Sequence, residues 1–283
     1  GEFENAVRHA RNLVRDHPSD PELHIVLGNA LAGARRNAEA ADAYRKAIRL
    51  RPRDDTAREL LVRHLASGGD IGAARVALRF WFSAIPDSAS AYRLAGELDE
   101  RSGQTEDAMN RYEASLRLDP DQPVVRSRLA QLSLSLHRTR KTIRFFKSQL
   151  EADPGIVDGR NVLALLLDAA GDPRGAVRVL RRQLDFMPAD PSARRELAWI
   201  LATTREPGLG DGLEAISHAR SLLERDPGNP DALHVLAAAY ARSGMRHRAV
   251  DTAEQAYRNA RDRNLPALAE TIARMLESYR GDG

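Results

Sequence analysis

The sequence of 283 residues contains no cysteine, which excludes disulfide bonds, thiolate metal sites and cysteine nucleophiles. Aromatic residues make up only 5% of the chain, and this scarcity favours helices that pack closely through small side chains. No run approaches the roughly 18 apolar residues that a membrane span needs, and no signal peptide is recognisable. We therefore expect no transmembrane segment in this fragment. The opening Gly-Glu-Phe resembles a cloning scar, in which case targeting information would have been removed.

An excess of one charge sign is also lacking. The 43 basic and 40 acidic residues leave a formal net charge of +3, so no global field indicates a nucleic-acid partner. Only Lys46, Lys141 and Lys147 among the basic residues are lysines, and such a preference for arginine is typical of a GC-rich bacterial genome.

Prolines recur along the chain at a fixed interval of 34 residues, and one later interval is 39 residues long. Small or slim side chains recur ten and about 22 residues after each proline. The prolines are Pro18, Pro52, Pro86, Pro120, Pro154, Pro188 and, after the longer interval, Pro227. The first set of small residues is Gly28, Val62, Gly96, Ala130, Ala164, Ala198 and Ala237, and the second is Ala40, Ala74, Ala108, Thr142, Ala176, Ala215 and Ala249.

This pattern predicts repeated pairs of antiparallel helices. Small residues at fixed sites let two helix backbones approach closely, and one such pair cannot bury its apolar faces without neighbouring pairs. Each recurring proline ends a second helix, whereas Asp20-Pro21, Gln122-Pro123, Asp190-Pro191 and Asn229-Pro230 mark the starts of first helices. Glycines at 69, 103, 171 and 244 mark the turns within pairs.

The period, the small residues, the closing proline and the aromatic residues Tyr44, Tyr112 and Phe146 resemble the tetratricopeptide repeat family over nearly the whole chain. The resemblance implies an all-α, right-handed α-solenoid of antiparallel helix pairs, with about seven repeats and flanking helices. One departure from the family pattern is that only Tyr92 supplies the usual aromatic residue of the first helix. The other repeats carry His24, Arg58, Arg126, Arg160 and Arg194 there.

We expect the whole chain, 1–283, to form a single solenoid. The predicted segments are a half repeat at 3–18, repeats at 21–54, 55–88, 89–122, 123–156, 157–190, 191–229 and 230–260, and a capping helix at 265–280. Because the chain begins within a repeat, we expect it to have been cut from a longer protein.

The stretch TTREPGLGDGLEA at 203–215 places three glycines just before a helix, as a phosphate-binding loop would. Loops of the dinucleotide-binding kind follow a β-strand, and none is predicted here. The repeat at 191–229 is instead five residues longer than the others, so we expect a lengthened turn in which Asp211 caps the following helix and Glu214 completes a capping box. The alternative is a loop that contacts a partner or an anion.

No catalytic constellation is recognisable. The eight histidines lie in different repeats without the spacing of metal ligands. The adjacent pairs Asp99-Glu100 and Glu106-Asp107 are interpreted as solvated faces at exposed helix ends or as favourable charges at a helix start. We therefore predict a non-enzymatic protein with no cofactor and no metal.

By resemblance to the family, the first helices line a concave groove that binds a peptide or protein partner. In repeats two and three, Glu59 and Arg63 are placed to meet Arg93 and Glu97. The alternatives are that these charges only neutralise one another and that Trp199 packs under the long loop. Ile25 occupies the place of the first lysine of a carboxylate-clamp repeat, which argues against that mode despite Asn29. The predicted groove residues are Arg63, Arg93, Glu97, Ser127, Gln131, Asn161, Leu165, Arg195 and Trp199.

A second candidate surface is a basic patch on second helices, at the convex side of the predicted solenoid. Its residues indicate an anionic partner, such as an acidic protein segment, an anionic polymer or lipid headgroups, although arginine enrichment alone also produces such a face. Nucleic acid is less favoured, because we expect Phe145 and Phe146 to face the core. The patch residues are Arg138, Arg140, Lys141, Arg144, Lys147, Arg174, Arg178, Arg181 and Arg182.

Two functions follow from these surfaces. The first is a non-catalytic scaffold that recruits a protein or peptide. The alternative is an accessory domain of a larger membrane glycosyltransferase or of a polysaccharide-export or secretion protein, which would bind a glycan or envelope component. The segment at 196–219 also resembles the terminal module of many bacterial tetratricopeptide proteins, some of them membrane-anchored, which favours a periplasmic or membrane-associated location over the cytoplasm.

Overall fold

The computed structural model describes residues 1–156 and 158–281. Within these residues the chain forms sixteen α-helices and no β-strand, which confirms the predicted all-α class. The helices are α1 Glu2–Asp16, α2 Pro21–Gly33, α3 Asn37–Leu50, α4 Asp55–Ser67, α5 Ile71–Ala84, α6 Ala89–Arg101, α7 Thr105–Leu118, α8 Pro123–Ser135, α9 Thr139–Ala152, α10 Gly159–Ala169, α11 Pro173–Phe186, α12 Pro191–Thr203, α13 Gly212–Leu223, α14 Pro230–Arg242, α15 Arg246–Asp262 and α16 Pro266–Gly281.

The helices fall into two compact units, Gly1–Leu132 and Ser133–Gly283. The first unit has a core around Trp81, which is fully buried and donates its indole N–H to Asp55 Oδ1 across 2.8 Å. In the second unit, alanines and leucines of α14, α15 and α16 build a core around the fully buried Ile272. Both cores use many small side chains, as the composition indicated.

The small residues of the repeat pattern lie where two helices come closest. A Cβ atom added to Gly28 would stand 2.5 Å from Cε1 of Tyr44, and one added to Gly96 would stand 2.6 Å from Cε1 of Tyr112. Real Cβ atoms do not approach other atoms so closely, so the tyrosine ring occupies the space that the glycine leaves open. In the same chain, Ala164 and Leu180 occupy the corresponding repeat positions, and both are fully buried.

The turn inside each helix pair needs one residue with a left-handed backbone. Gly171 supplies it between α10 and α11 at φ +82°, whereas Arg35 and His137 supply it at φ 60° and 53°. Glycine adopts this conformation without steric cost, while residues with a Cβ atom lose roughly 1–2 kcal/mol. The repeat geometry therefore overrides local preference at Arg35 and His137.

The arginines that replace the aromatic residue of the first helix have a structural role. Each donates a side-chain N–H to the carbonyl oxygen of the recurring proline six residues earlier, and a ring nitrogen of His24 contacts Pro18 in the same way. The chain leaving one repeat is thus tied to the first helix of the next. The contacts are His24–Pro18 at 2.9 Å, Arg58–Pro52 at 2.8 Å, Arg126–Pro120 at 2.7 Å, Arg160–Pro154 at 2.7 Å and Arg194–Pro188 at 3.1 Å.

The glycine-rich stretch between α12 and α13 is held by arginine side chains. Arg174 donates to Glu206 Oε1 at 2.8 Å and to the Pro207 carbonyl at 2.6 Å, and Arg242 donates to the Thr204 carbonyl at 3.0 Å. A Cβ atom on Gly210 would lie 2.0 Å from the Arg242 guanidinium. Gly210 therefore leaves the space in which the Arg242 guanidinium lies.

The predicted cap at the end of this loop is confirmed. The Asp211 carboxylate accepts the backbone N–H of Glu214 at 2.9 Å. The Glu214 carboxylate turns instead to Arg181 at 2.8 Å, so the reciprocal half of the capping box is replaced by a contact with another helix.

Candidate functional site

A groove in the Gly1–Leu132 unit contains five of the predicted groove residues. It has a volume of about 960 Å³ and is formed by side chains of α4, α6, α7 and the start of α8. Its lining residues are Arg63, Arg93, Glu97, Glu100, Arg101, Tyr112, Gln122, Pro123, Val124, Val125, Ser127, Arg128 and Gln131. We call this cavity the α4–α8 groove.

Four charged side chains on α4 and α6 form a closed network beside this groove. Both contacts that the sequence suggested are present: Arg93 Nη2 lies 2.8 Å from Glu59 Oε1, and Arg63 Nη1 lies 3.6 Å from Glu97 Oε2. Within each helix, Arg63 also pairs with Glu59 at 2.9 Å and Arg93 with Glu97 at 3.0 Å. Two cations and two anions thus balance, and the network has no net charge.

The titration of the network reflects this pairing. Burial alone would lower the pKa of Arg93, but the hydrogen bond to Glu59 and the nearby carboxylates outweigh burial and raise it. Burial likewise opposes the ionisation of Glu59. The hydrogen bonds from Arg93 and Arg63 outweigh this effect of burial, so the pKa of Glu59 is lowered. The pairing therefore favours the charged forms of Arg93 and Glu59.

Glu100 forms a second charged contact of the groove. It accepts Arg128 Nε at 2.9 Å and the Tyr112 hydroxyl at 3.1 Å. Burial raises the pKa of Tyr112 to about 12, so its hydroxyl remains a hydrogen-bond donor.

The interpretation of Asp99 and Glu100 as a solvated face is wrong. Asp99 is only 5% exposed and pairs with Arg75 Nη1 at 2.8 Å. Glu100 is held by Arg128 and Tyr112. The interpretation failed because basic side chains from neighbouring helices reach both carboxylates.

The remaining lining of the α4–α8 groove offers apolar surface and uncharged polar groups. Val124 is 80% exposed, and Ser127 one turn later is also exposed. Gln131 continues this face of α8 and accepts a hydrogen bond from Arg128 at 3.0 Å. Sequence reasoning read out only the fifth and ninth positions of each first helix, so it missed Val124, at the second position, and Arg128, at the sixth. The signal available for Val124 was that the second position also belongs to the family's groove, whereas no repeat position indicated Arg128.

The predicted groove residues of the Ser133–Gly283 unit lie in separate environments. Asn161 donates to Asp190 Oδ2 at 3.0 Å and thereby holds the residue that caps α12. Trp199 is half-buried, and its ring packs on His234 with centroids 4.9 Å apart. Leu165 is 43% exposed. Arg195 pairs with Glu196 and lines a cavity of about 420 Å³. The lining of this cavity does not include Asn161, Leu165 or Trp199.

The predicted basic patch is divided by local ion pairs. Arg174 and Arg181 contact Glu206 and Glu214, each at 2.8 Å. Around the turn from α8 to α9, a cavity of about 840 Å³ is lined by basic residues, and its lining contains no carboxylate among the residues that the structure describes. Its lining residues are Leu134, His137, Arg138, Thr139, Arg140, Lys141, Arg144, Ala169 and Ala170.

The other members of the predicted patch lie outside that cavity. Lys147, Arg178 and Arg182 are exposed on α9 and α11. Phe145 and Phe146 are 7% and 2% exposed, which confirms that they face the core.

Two further properties concern only the residues that the structure describes. No group of three or more histidine, aspartate and glutamate side chains among them is arranged to hold a metal ion. None of the described helices combines the length and the apolar character needed to cross a membrane.

Comparisons with known proteins identify the repeat. A family model described as tetratricopeptide repeat matches residues 1–55, 25–79 and 161–230. The chain is similar to the crystal structure of a tetratricopeptide repeat protein from Parabacteroides merdae, with 16% identity, 89% of this chain and 98% of that chain covered, and a TM-score of 0.51. It is also similar to yeast Tom70, with 18% identity, 99% and 60% covered, and a TM-score of 0.51. A search of curated proteins found no match.

These likenesses concern the fold and confirm the predicted helical-repeat solenoid class. The chain spans only 60% of the Tom70 structure. The matched segments of the family model together cover just over half of the 283 residues. With its 34-residue period and its helix pairs, the chain belongs to the tetratricopeptide repeat family.

Proposed function

We propose that this chain is a non-catalytic scaffold and that the α4–α8 groove binds an extended peptide segment of a protein partner. Repeat folds of this family generally serve protein–protein interaction by presenting extended surfaces. The observation that carries the proposal is that five residues chosen by repeat position alone line one groove: Arg63, Arg93, Glu97, Ser127 and Gln131.

The chemistry of the groove favours a mostly uncharged ligand with an apolar anchor. The charges of Arg63 and Arg93 are balanced by Glu59 and Glu97. The exposed Val124 provides the apolar contact, and the Ser127 hydroxyl and Gln131 amide are suited to hydrogen bonds with a peptide main chain. In the Ser133–Gly283 unit, we propose Asn161, Leu165, Arg195 and Trp199 as further partner contacts that act separately.

Peptide selection tests the groove assignment. A random-peptide library would be selected on the full chain, and the affinities of the winning peptides would be measured by fluorescence anisotropy. Val124→Glu places a charge in the groove, and Leu213→Glu is the matched control because Leu213 is 68% exposed on α13. We expect the first variant to weaken binding at least about tenfold, which corresponds to about 1.4 kcal/mol, and the control to change it less than about twofold. Equal loss in both variants would refute the groove assignment.

The alternative function is binding of an anionic glycan or envelope component by the basic cavity at the turn from α8 to α9, as part of a larger glycosyltransferase, polysaccharide-export or secretion protein. The cationic residues Arg138, Arg140, Lys141 and Arg144 in the described lining favour this candidate. Arg140→Glu with Arg144→Glu should then abolish salt-sensitive binding to dextran sulfate or phosphatidylglycerol vesicles, while Arg225→Glu should not. Undiminished binding by the double variant would exclude the site.

A further inference from the structure

A second cleft in the Gly1–Leu132 unit lies between the second helices of the first two repeats. Helices α3 and α5 form its walls, and residues of α4 complete its lining. Its volume is about 610 Å³. The lining residues are Arg45, Ile48, Arg49, Arg58, Leu61, Leu65, Ala73, Val76, Ala77 and Phe80. We call it the α3–α5 cleft, and none of these residues lines the α4–α8 groove.

The α3–α5 cleft exposes large apolar side chains. Phe80 is 69% exposed and Val76, one turn earlier on α5, is 39% exposed. Together with Ile48 and Leu61 they make a continuous apolar lining. Clustered exposed apolar groups of this kind mark interaction sites, whereas isolated ones do not.

The charged side chains of the cleft are all cationic. Arg45 and Arg49 are four residues apart on α3, so they lie on one face of that helix. Arg45 pairs at 2.8 Å with Asp42, a residue outside the lining of the cleft. Arg49 forms no ion pair within the described part of the chain. A bound segment that carries carboxylates would therefore meet complementary charge.

Arg58 places a third cation in the lining. It is 8% exposed, and its Nη2 donates to the Pro52 carbonyl at 2.8 Å. Its Nε is buried without a hydrogen-bond partner among the described residues. Burial lowers the pKa of Arg58, and this effect is larger than the opposing effect of the Asp55 carboxylate. The surrounding protein therefore only partly compensates the positive charge of Arg58. A carboxylate brought into the cleft would add to this compensation.

We propose that the α3–α5 cleft docks an acidic amphipathic helix of a partner protein. The lining residues extend about 6 Å along α3, from Arg45 to Arg49, and about 10 Å along α5, from Ala73 to Phe80, enough to contact about two turns of a bound helix. Apolar side chains of that helix would contact Phe80 and Val76, and carboxylates one turn apart would pair with Arg45 and Arg49. This surface is separate from the α4–α8 groove, so one scaffold would hold two different segments.

Three fluorescent 16-residue peptides test the proposal. The first has leucine and phenylalanine at helical spacing with glutamates elsewhere, the second replaces the glutamates by lysines, and the third scrambles the first. The full chain should bind the first peptide at least about tenfold more tightly than the other two. Phe80→Ala and Arg49→Glu should each weaken it at least about fivefold, and Arg49→Glu should improve binding of the lysine peptide.

Matched variants keep the test specific. Arg79→Glu changes an exposed charge on α5 outside the lining, and Phe186→Ala removes an exposed ring in the other unit. Both should keep the wild-type affinity within about twofold, as should Val124→Glu, which separates this cleft from the α4–α8 groove. Equal binding of the acidic and basic peptides would overturn the proposal. The proposal would also be overturned if the chain bound none of the peptides but co-sedimented with phosphatidylglycerol vesicles in a way that depended on Phe80 and Arg49.

Discussion

Arg93 donates a hydrogen bond to Glu59 across 2.8 Å, and the two residues occupy the same position of consecutive repeats. Each has a partner within its own helix as well, Glu97 for Arg93 and Arg63 for Glu59. The contact therefore joins two intrahelical pairs into one network that ties α4 to α6. The side chains of Arg93 and Glu59 are 20% and 27% exposed, so their contact is neither a surface pair nor a fully buried one.

Reversal of one charge in this network should be costly, and reversal of all four should be less so. Arg93→Glu places a third carboxylate among Glu59 and Glu97, and we expect a loss of about 1–2 kcal/mol in the free energy of unfolding. A quadruple variant that also carries Glu59→Arg, Arg63→Glu and Glu97→Arg restores an opposite charge at every contact and should recover about half of the loss. Urea denaturation of the wild type and the two variants measures this. A quadruple variant that is less stable than Arg93→Glu would contradict the network.

The contact between Arg126 and the Pro120 carbonyl should contribute to stability. Arg126 is 2% exposed, so Arg126→Met keeps the buried stem but leaves the carbonyl without this donor. We expect the variant to lose about 1–2 kcal/mol, and Arg79→Met, at an exposed site, to lose less than about 0.5 kcal/mol. Thermal and urea unfolding would measure both. Equal stability of the two variants would show that the recurring proline contact is energetically neutral.

Gly28 should tolerate a methyl group only when Tyr44 is reduced in size. Gly28→Ala alone places a Cβ atom 2.5 Å from the ring and should destabilise the fold by about 1–3 kcal/mol. Gly28→Ala with Tyr44→Leu reproduces the natural pair Ala164 and Leu180 and should be more stable than Gly28→Ala. Circular dichroism during urea titration tests the order of the variants. If the double variant is the least stable, the hydrogen bond from Tyr44 to Asn29 matters more than the packing.

Stability should fall when the pH decreases from 7.5 to 5.5. Burial lowers the pKa of both His218 and His234 below the usual 6.5, so the unfolded chain takes up protons first. The stabilising effect of the neutral rings is complete above the unfolded pKa and is lost as the pH falls through the folded pKa. His234→Gln should reduce the slope of unfolding free energy against pH. If His234→Gln left this slope unchanged, the loss of stability at low pH would come from groups other than His234.

The repeat architecture was predictable because its determinants are local and periodic. The recurring prolines, the small residues and caps such as Asp20 and Asp211 each follow from backbone chemistry at one position. The contact between Glu59 and Arg93 was predictable too, since a 34-residue spacing brings equivalent positions together. Five groove residues in one cavity follow from the same periodicity.

Features that depend on side-chain reach were not predictable in this way. The sequence shows arginines six residues after several prolines, but not that the guanidinium turns back to the carbonyl. Asp99 was misinterpreted because Arg75 comes from a different helix pair. The α3–α5 cleft was missed because it depends on the width between two helices, which the repeat period does not determine.

The most direct test of the proposed peptide-binding function is a crystal structure of the chain with a peptide selected on it. The proposal predicts an extended peptide in the α4–α8 groove, with an apolar side chain on Val124 and main-chain hydrogen bonds to Ser127 or Gln131. A peptide seated in the α3–α5 cleft or on residues 133–281, with the α4–α8 groove empty, would contradict it.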